Sequence, residues 1–386
     1  MVLNSRKEYL LSIKNRYPAA SKKDKKNILD EFCSVCGYNR KYALRLLNQK
    51  SVRPKKKSGR KPIYSKELLK PLKDLWFATD QMCSKKFVAA IPMWLPFYET
   101  EFGNLSQKIK KQILQISPAT IDRILKPIRV RFKTKGLTAT KPGSLLKNQI
   151  PIRTDFWDVD RPGFLEADTV AHCGNSLAGN FVWSLTVTDI CSTWTENRAV
   201  WTKNAHGIVS AMKNIEAKLP FKILGFDCDN GSEFLNQFLW EYFADRGKNP
   251  VAFTRARPYK KNDNAHVEQK NWTHVRQLLG YDRYEKFELV ELINDLYQNA
   301  WGPYQNFFCP AMKLKSKTRI NSKYVKKYDL AKTPYQRLLE SKEISDEKKS
   351  QLTTIFKSLN PFTLKKNIER KLKIISTVLK ATKAFS

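Results

Sequence analysis

Residues 226–234, FDCDNGSEF, hold three carboxylates, Asp227, Asp229 and Glu233, directly after the apolar lead-in FKILG. Two further acids stand in apolar company: Asp168 inside FLEADTVA and Glu268 inside NDNAHVEQKNWTHVRQLLG. Carboxylate oxygens are hard ligands, suited to Mg2+ or Mn2+ rather than to the softer chemistry of zinc. Three of them converging can hold two such ions about 4 Å apart. That pair activates a nucleophile on one side of a phosphodiester and stabilises the leaving oxygen on the other. Water or a 3′-hydroxyl then serves as nucleophile, so no serine or cysteine is required. His172, Cys173 and His266 lie close by, but a lone histidine or cysteine is more often structural, and they stay outside the ligand set.

The surrounding elements must bring these acids together. Asp168 falls within a β-rich stretch, and Asp229 falls just past a nearly continuous apolar strand, FKILGFD, where α/β folds carry functional loops. Asn230 and Gly231 follow, and both tolerate a tight backbone. FVWSLTVT at 181–188, TWTENRAVW at 193–201 and VAFTRA supply further strands, and helices are expected near 204–217, 233–245 and 263–279. The result is a mixed five-stranded sheet with flanking helices. Winding the last helix at about 100° per residue from Asn264 puts Glu268 near 40°, among Trp272, Val275, Leu278 and Leu279. An inward glutamate must be paired, protonated or metal-bound, because an isolated buried carboxylate is very costly. Glu233 is expected to open the helix after Asp229 and favour its positive end.

Charge is partitioned along the chain. The formal net charge is +35, made of +24 in 1–150, −3 in 151–310 and +14 in 311–386. Basic flanks around an acidic centre suit arms that bind a polyanion by salt-sensitive phosphate contacts. Residues 1–50 contain a helix-turn-helix pattern: Ile28, Leu29 and Phe32 on one helix, a break at Gly37, then Ala43, Leu44 and Leu47. Asn39, Arg40, Lys41 and Arg45 are left to reach DNA, and Cys33 and Cys36 read as core. Residues 51–64 form a basic linker whose Arg60 and Lys61 could lie in a minor groove. Residues 65–150 hold a second helical DNA-binding region and linker. There Ser117 caps a helix begun by Pro118 and ended before Pro127, with Thr120, Arg123 and Lys126 on one face. Residues 151–310 are the catalytic core, in which Arg255, Arg257, Lys260 and Lys261 could hold DNA backbone. Residues 311–386 are a basic helical tail. Its helix from near Pro361 carries a Leu364, Ile368, Leu372, Ile375 and Leu379 stripe, for subunit contact or packing within the chain. The longest apolar run, 87–98, is too short for a membrane span and is interrupted by Pro92 and Pro96. Seven cysteines without paired spacing fit a reducing, cytoplasmic setting.

EADTV, FDCDNGSEF and NDNAHVEQKN, in that order, resemble the three motifs of the DDE-type transposase and retroviral integrase catalytic core over about residues 163–280. YDLAKTPYQRLL at 328–339 is similar to a segment that follows the core in bacterial insertion-sequence transposases. The resemblance implies a ribonuclease-H-like fold, preceded by the all-α helix-turn-helix region and followed by the helical tail. It makes Asp168, Asp229 and Glu268 the catalytic metal ligands for Mg2+ or Mn2+, two ions in all. Asp227 competes with Asp229, which is preferred because the family's Asp-Asn-Gly string begins there. The implied partners are double-stranded DNA, both element ends and target, and further copies of the chain, with no membrane. The implied reactions are strand cleavage and strand transfer. A nuclease that cuts without joining, a non-catalytic DNA-binding regulator and a decayed element are the rival readings. The 38 residues between Asp229 and Glu268 exceed the family's usual interval. The absence of a His/Cys zinc module before the core points to a bacterial element rather than a virus.

Overall fold

The computed structural model describes residues 3–49, 64–129, 160–229, 231, 233–234, 236–244, 246, 251–255, 265–320 and 323–383. They fall into two compact units, Met1–Ile63 and Tyr64–Ser386.

The first unit is helical: α1 (Leu3–Lys14), α2 (Arg16–Ala19), α3 (Lys22–Cys36) and α4 (Arg40–Asn48). α3 starts where the Ser21 hydroxyl accepts the Asp24 amide and stops at Gly37, whose φ of 65° suits a residue without Cβ. Ile13 and Tyr17 complete a core with Leu29, Phe32, Cys36, Ala43 and Leu47, so α1 and α2 add a layer to the two helices read from sequence. Leu44, expected on the inner face, is exposed.

In the second unit, α5 (Leu69–Ala78), α6 (Ser84–Phe102), α7 (Gln107–Leu114) and α8 (Pro118–Arg129) share one hydrophobic core with the sheet. α6 runs unbroken through Pro92 and Pro96, and α8 continues through Pro127 rather than ending before it. An interior proline costs a helix about 3 kcal/mol. α6 offsets this by burying Phe87, Ile91, Trp94 and Tyr98, each large side chain contributing about 1.5–3 kcal/mol. Trp94 also donates its indole N–H to the Phe308 carbonyl at 3.0 Å and packs edge-on to Tyr304 and Phe362.

The sheet contains β1 (Phe164–Ala171), β2 (Val182–Asp189), β3 (Thr195–Trp201), β4 (Gly225–Cys228) and β5 (Ala252–Arg255) in the order 3-2-1-4-5. β1, β2 and β3 form an antiparallel meander, and β4 and β5 add parallel to the other edge of β1. This is the mixed ribonuclease-H-like arrangement. β2 is covered on both faces, and its polar residues find partners there: Thr186 accepts from Asn197 and Thr188 bonds Thr195. α9 (Ala205–Glu216) packs on β3, and α10 (Gln237–Ala244) packs on α9 and β5. α11 (Ala265–Lys270) runs through a π-helical turn, Asn271–Arg276, into α12 (Gln277–Leu279).

α13 (Glu288–Leu296), a second π turn (Tyr297–Trp301) and α14 (Gly302–Phe308) follow. Ahead of the helical tail lies a two-stranded ribbon absent from the sequence reading, β6 (Leu314–Ile320) and β7 (Lys323–Tyr328). α15 (Pro334–Glu340) begins in a capping box formed by Thr333 and Gln336, and α16 (Asp346–Ser358) and α17 (Pro361–Lys383) complete the chain. Leu364, Ile368 and Ile375 of α17 are buried in this chain's own core, with Leu372 and Leu379 packed against it. All seven cysteines are free thiols, and no described helix is long and apolar enough to cross a membrane.

Candidate active site

Side chains alternate across a strand, so Glu166 and Asp168 point to the same side of β1. The parallel register aligns Glu166 with Asp227 and Ala167 with Cys228. Asp229 therefore emerges beside Asp168 where β4 has just ended. Asp168 is gripped from two directions: one oxygen accepts the Thr169 amide at 2.7 Å, the other the Asn271 side-chain amide at 2.6 Å. Asn271 lies three residues beyond Glu268, hence on the same side of the helix. Asp229 folds its carboxylate back onto the Gly231 amide at 2.9 Å.

Burial raises the Asp168 carboxyl to about 8, helped first by the charge of Asp229 and then by Glu233 and Glu268, against the lowering effect of the Thr169 amide. Asp229 is raised by burial and by Glu233, while the Gly231 amide and Lys203 oppose the shift. The acids at 168, 229 and 268, far apart in sequence, thus share one local field.

Three expectations need correction. Glu268 is exposed rather than inward, and so is Trp272. The buried residues of this helix are Val267, His274, Val275 and Leu279, with Asn271 half-buried. The apolar stripe is centred nearer Val267 and Leu278, and the π turn at 271–276 departs from uniform α winding. Glu268 consequently sits at the rim of the site. Glu233 does not open a helix, since α10 starts at Gln237. Instead it is buried beneath the Asp-Asn-Gly loop, accepting from the Thr169 hydroxyl at 3.0 Å and pairing with Lys203 at 2.6 Å. A Cβ on Gly231 would lie 2.3 Å from Glu233 Oε2, so a side chain there would have to displace that carboxylate. Asp227 is fully buried and accepts the Thr254 hydroxyl at 2.6 Å.

Glu166 went unnoticed in the sequence. Its carboxylate accepts the backbone amides of both His266 and Val267 at 3.1 Å, tying the start of the Glu268 helix to β1. The available signal was a glutamate two residues before Asp168 in a strand otherwise destined for burial. His172 is buried and held to about 3 by burial, with Nε2 2.8 Å from the Ser184 hydroxyl, a structural role.

Among the described residues no three His, Cys, Asp or Glu side chains already converge as a metal cage. The donor set nevertheless fits a hard divalent cation. Asp168, Asp229 and Glu268 offer only carboxylate oxygen, burial and then the charge of Asp229 raise the proton affinity of Asp168, and Glu233 Oε2 is buried without a hydrogen-bond partner.

The candidate DNA-binding residues are distributed differently. Asn39 caps α4 by accepting the Lys41 amide at 3.0 Å, and Arg40 pairs with Asp30, so neither simply reaches outward. Lys41 is exposed, and Arg45 lies over the Tyr42 ring at 5.0 Å. On α8, Arg123 and Lys126 are exposed, and Arg123 donates to Thr120 at 3.0 Å. Arg255 is buried, whereas Arg60, Lys61, Arg257, Lys260 and Lys261 lie outside the described residues.

No family model matches the chain. Solved structures similar to part of it include the catalytic core of BIV integrase, 15% identical, covering 45% of this chain and 91% of that one with a TM-score of 0.29. The HTLV-2 integrase catalytic core in complex with magnesium is 17% identical, covering 39% and 90% with a TM-score of 0.28. A simian T-cell lymphotropic virus intasome in complex with a PP2A subunit is 15% identical at a TM-score of 0.26, with 48% of this chain spanning 59% of that one. Far closer in sequence is the uncharacterized protein y4rM of Sinorhizobium fredii, 36% identical over 326 residues, which are 84% of this chain and 92% of the relative. The chain belongs to the family of y4rM.

Proposed function

We propose that this protein is a DDE-type transposase of a bacterial mobile element, which binds the element's ends and catalyses DNA cleavage and strand transfer. The observation that carries the reading is the side-chain amide of Asn271, one turn beyond Glu268, bonded to Asp168 on β1, with Asp229 just past the end of the adjoining β4. The resemblance of their three motifs to the DDE family supports the same assignment, as does the acidic centre between basic flanks.

Asp168, Asp229 and Glu268 are the residues that would hold divalent metal, whose chemistry here is to activate the attacking oxygen and stabilise the leaving one. Asn271 fixes the Asp168 carboxylate, and the Gly231 amide fixes that of Asp229. Glu166 holds the start of the Glu268 helix at β1. Lys203, paired with Glu233, supplies a cation at the edge of the site where a phosphate would enter. In this reading the α3–α4 pair and α8 grip duplex DNA outside the site.

The test incubates purified protein with labelled duplex carrying the element's ends, plus target plasmid, in Mg2+. Joined products are expected from wild type. Glu268→Gln should lose at least about 1,000-fold of this activity while binding the duplex as before. Cleavage without joining would favour a nuclease, and unaltered activity of the variant would remove Glu268 from the chemistry.

A further inference from the structure

The ribbon β6–β7 has no place in the reading above, and its composition is extreme. Residues 314–328, LKSKTRINSKYVKKY, carry Lys315, Lys317, Arg319, Lys323, Lys326 and Lys327 and no acid. Every described side chain in both strands is exposed, including the apolar Leu314, Ile320, Val325 and Tyr328. An isolated two-stranded ribbon is at best marginally stable in water, so this one owes its position to its root. There Asp329 accepts the Lys313 amide at 2.6 Å and pairs with Arg337 at 2.7 Å. Arg337 also donates to the Ala311 carbonyl, and the Lys313 ammonium reaches the Cys191 carbonyl at 3.0 Å. The element is therefore fixed at its base and exposed at every described side chain of its strands.

Edge lysines commonly guard a strand against stray pairing, and one or two suffice for that. Here six cations occur in fifteen residues, on both faces: the register sets Lys317 opposite Lys326, while Lys327 stands opposite Ser316 on the other face. A bulge between Leu314 and Ser316 adds local twist. The root at Cys191 lies in the β2–β3 turn, whose neighbour Ile190 bonds Phe164 at the start of β1. That is the end of the sheet away from Asp229, so the ribbon is not part of the acid pocket.

We infer that the β6–β7 ribbon is a DNA-holding arm that binds the phosphate backbone of a duplex segment lying outside the catalytic site. Resting on the DNA reading above, it assigns a contact which that reading lacks. Lysine contacts to phosphate position a duplex without reading its bases, so the arm adds affinity and orientation without sequence preference. A two-stranded ribbon also fits the width of the major groove, about 12 Å.

The full-length triple variant Lys315→Gln, Lys326→Gln, Lys327→Gln tests this, with binding to a random-sequence duplex of about three helical turns followed by anisotropy across a salt series. Each lost phosphate contact removes about 0.9 from the slope of log affinity against log salt. The expected result is a slope shallower by about 2 to 3 and affinity at least about 10-fold lower at moderate salt. A thermal melt matching wild type would exclude misfolding, and the exposed positions make that match expected. An unchanged slope overturns the proposal. If that comes with a shift to a smaller species in sedimentation, the ribbon joins copies of the chain instead. Strand joining is measured separately on the wild type: a protein that binds through the ribbon yet never cuts sinks the transposase reading alone.

Discussion

The acid pocket and the basic ribbon both concentrate charge of one sign, and they manage it in opposite ways. In the pocket, four carboxylates sit close enough to raise the proton affinity of Asp168. Amides from Thr169, Asn271 and Gly231 and the Lys203 ammonium hold them in place. In the ribbon, the described cations Lys315, Arg319, Lys326 and Lys327 are exposed, where water and salt screen them, and its position is fixed at the root. Repulsion in the pocket is severe and must be opposed by a defined structure. In the ribbon it is weak and needs none. A site that must place atoms is built from many short hydrogen bonds, while a surface that must only attract is built from composition.

The comparison can be broken first at Glu166. Glu166→Ala removes the acceptor for two amides at the start of the Glu268 helix. Supporting residues of this kind typically change metal affinity or activity by about 10–100-fold. The expected outcome is a loss of that size in Mn2+ affinity by calorimetry and in Mg2+-dependent turnover, with duplex binding and its salt slope untouched. Glu166→Gln, which retains an acceptor oxygen, should recover part of the affinity. Equal Mn2+ affinity in wild type and Glu166→Ala would mean that the helix holds its place without this tie.

Gly231 probes the same pocket more gently. An alanine Cβ would meet the Glu233 carboxylate at 2.3 Å, and that carboxylate is itself held by Thr169 and Lys203. Gly231→Ala should cost about 1–3 kcal/mol in denaturant unfolding and shift Asp229 away from Asp168. Pairing it with Glu233→Ala, which clears the space, should restore much of the stability. Additive losses in the double variant would show that crowding at Glu233 is not the cause.

How much of this was legible in the sequence follows from what kind of signal each residue carries. The sheet was readable because β1, β2 and β4 are rich in apolar and β-branched residues, and FLEADTVA matches β1 residue for residue. Asp168, Asp229 and Glu268 were readable because acids in apolar company are conspicuous. The burial of Glu268 was misread because Val267 and His274 anchor the helix through a face that the wheel had placed aside. Glu233 looked like an ordinary helix-start acid, and only the tertiary fold brings Thr169 and Lys203 around it. Glu166 and Asn271 act across about 100 residues of sequence, a distance no local pattern spans. The ribbon was obscured because its described side chains are all exposed, so it carries none of the apolar alternation that marks a half-buried strand.

The smallest effect concerns the proton on Asp168, held in the fold to about 8 against about 4 for an unfolded aspartate. Between those values the folded chain binds more protons at this site than the unfolded one. Stability therefore falls as pH rises from about 4 to about 8, the opposite of a salt-bridged aspartate. A divalent cation takes only the deprotonated site, so its binding should release protons and favour the folded state. Asp168→Asn removes the titrating group while keeping nearly the same shape. In EDTA the variant should melt a few degrees above wild type at pH 8, and the two should approach each other near pH 4. Adding Mg2+ at pH 8 should raise the wild-type Tm and leave Asp168→Asn nearly unmoved. A difference between the two proteins that stays flat across the pH series would mean that the four carboxylates do not share a field, and the contrast between pocket and ribbon would reduce to one of burial.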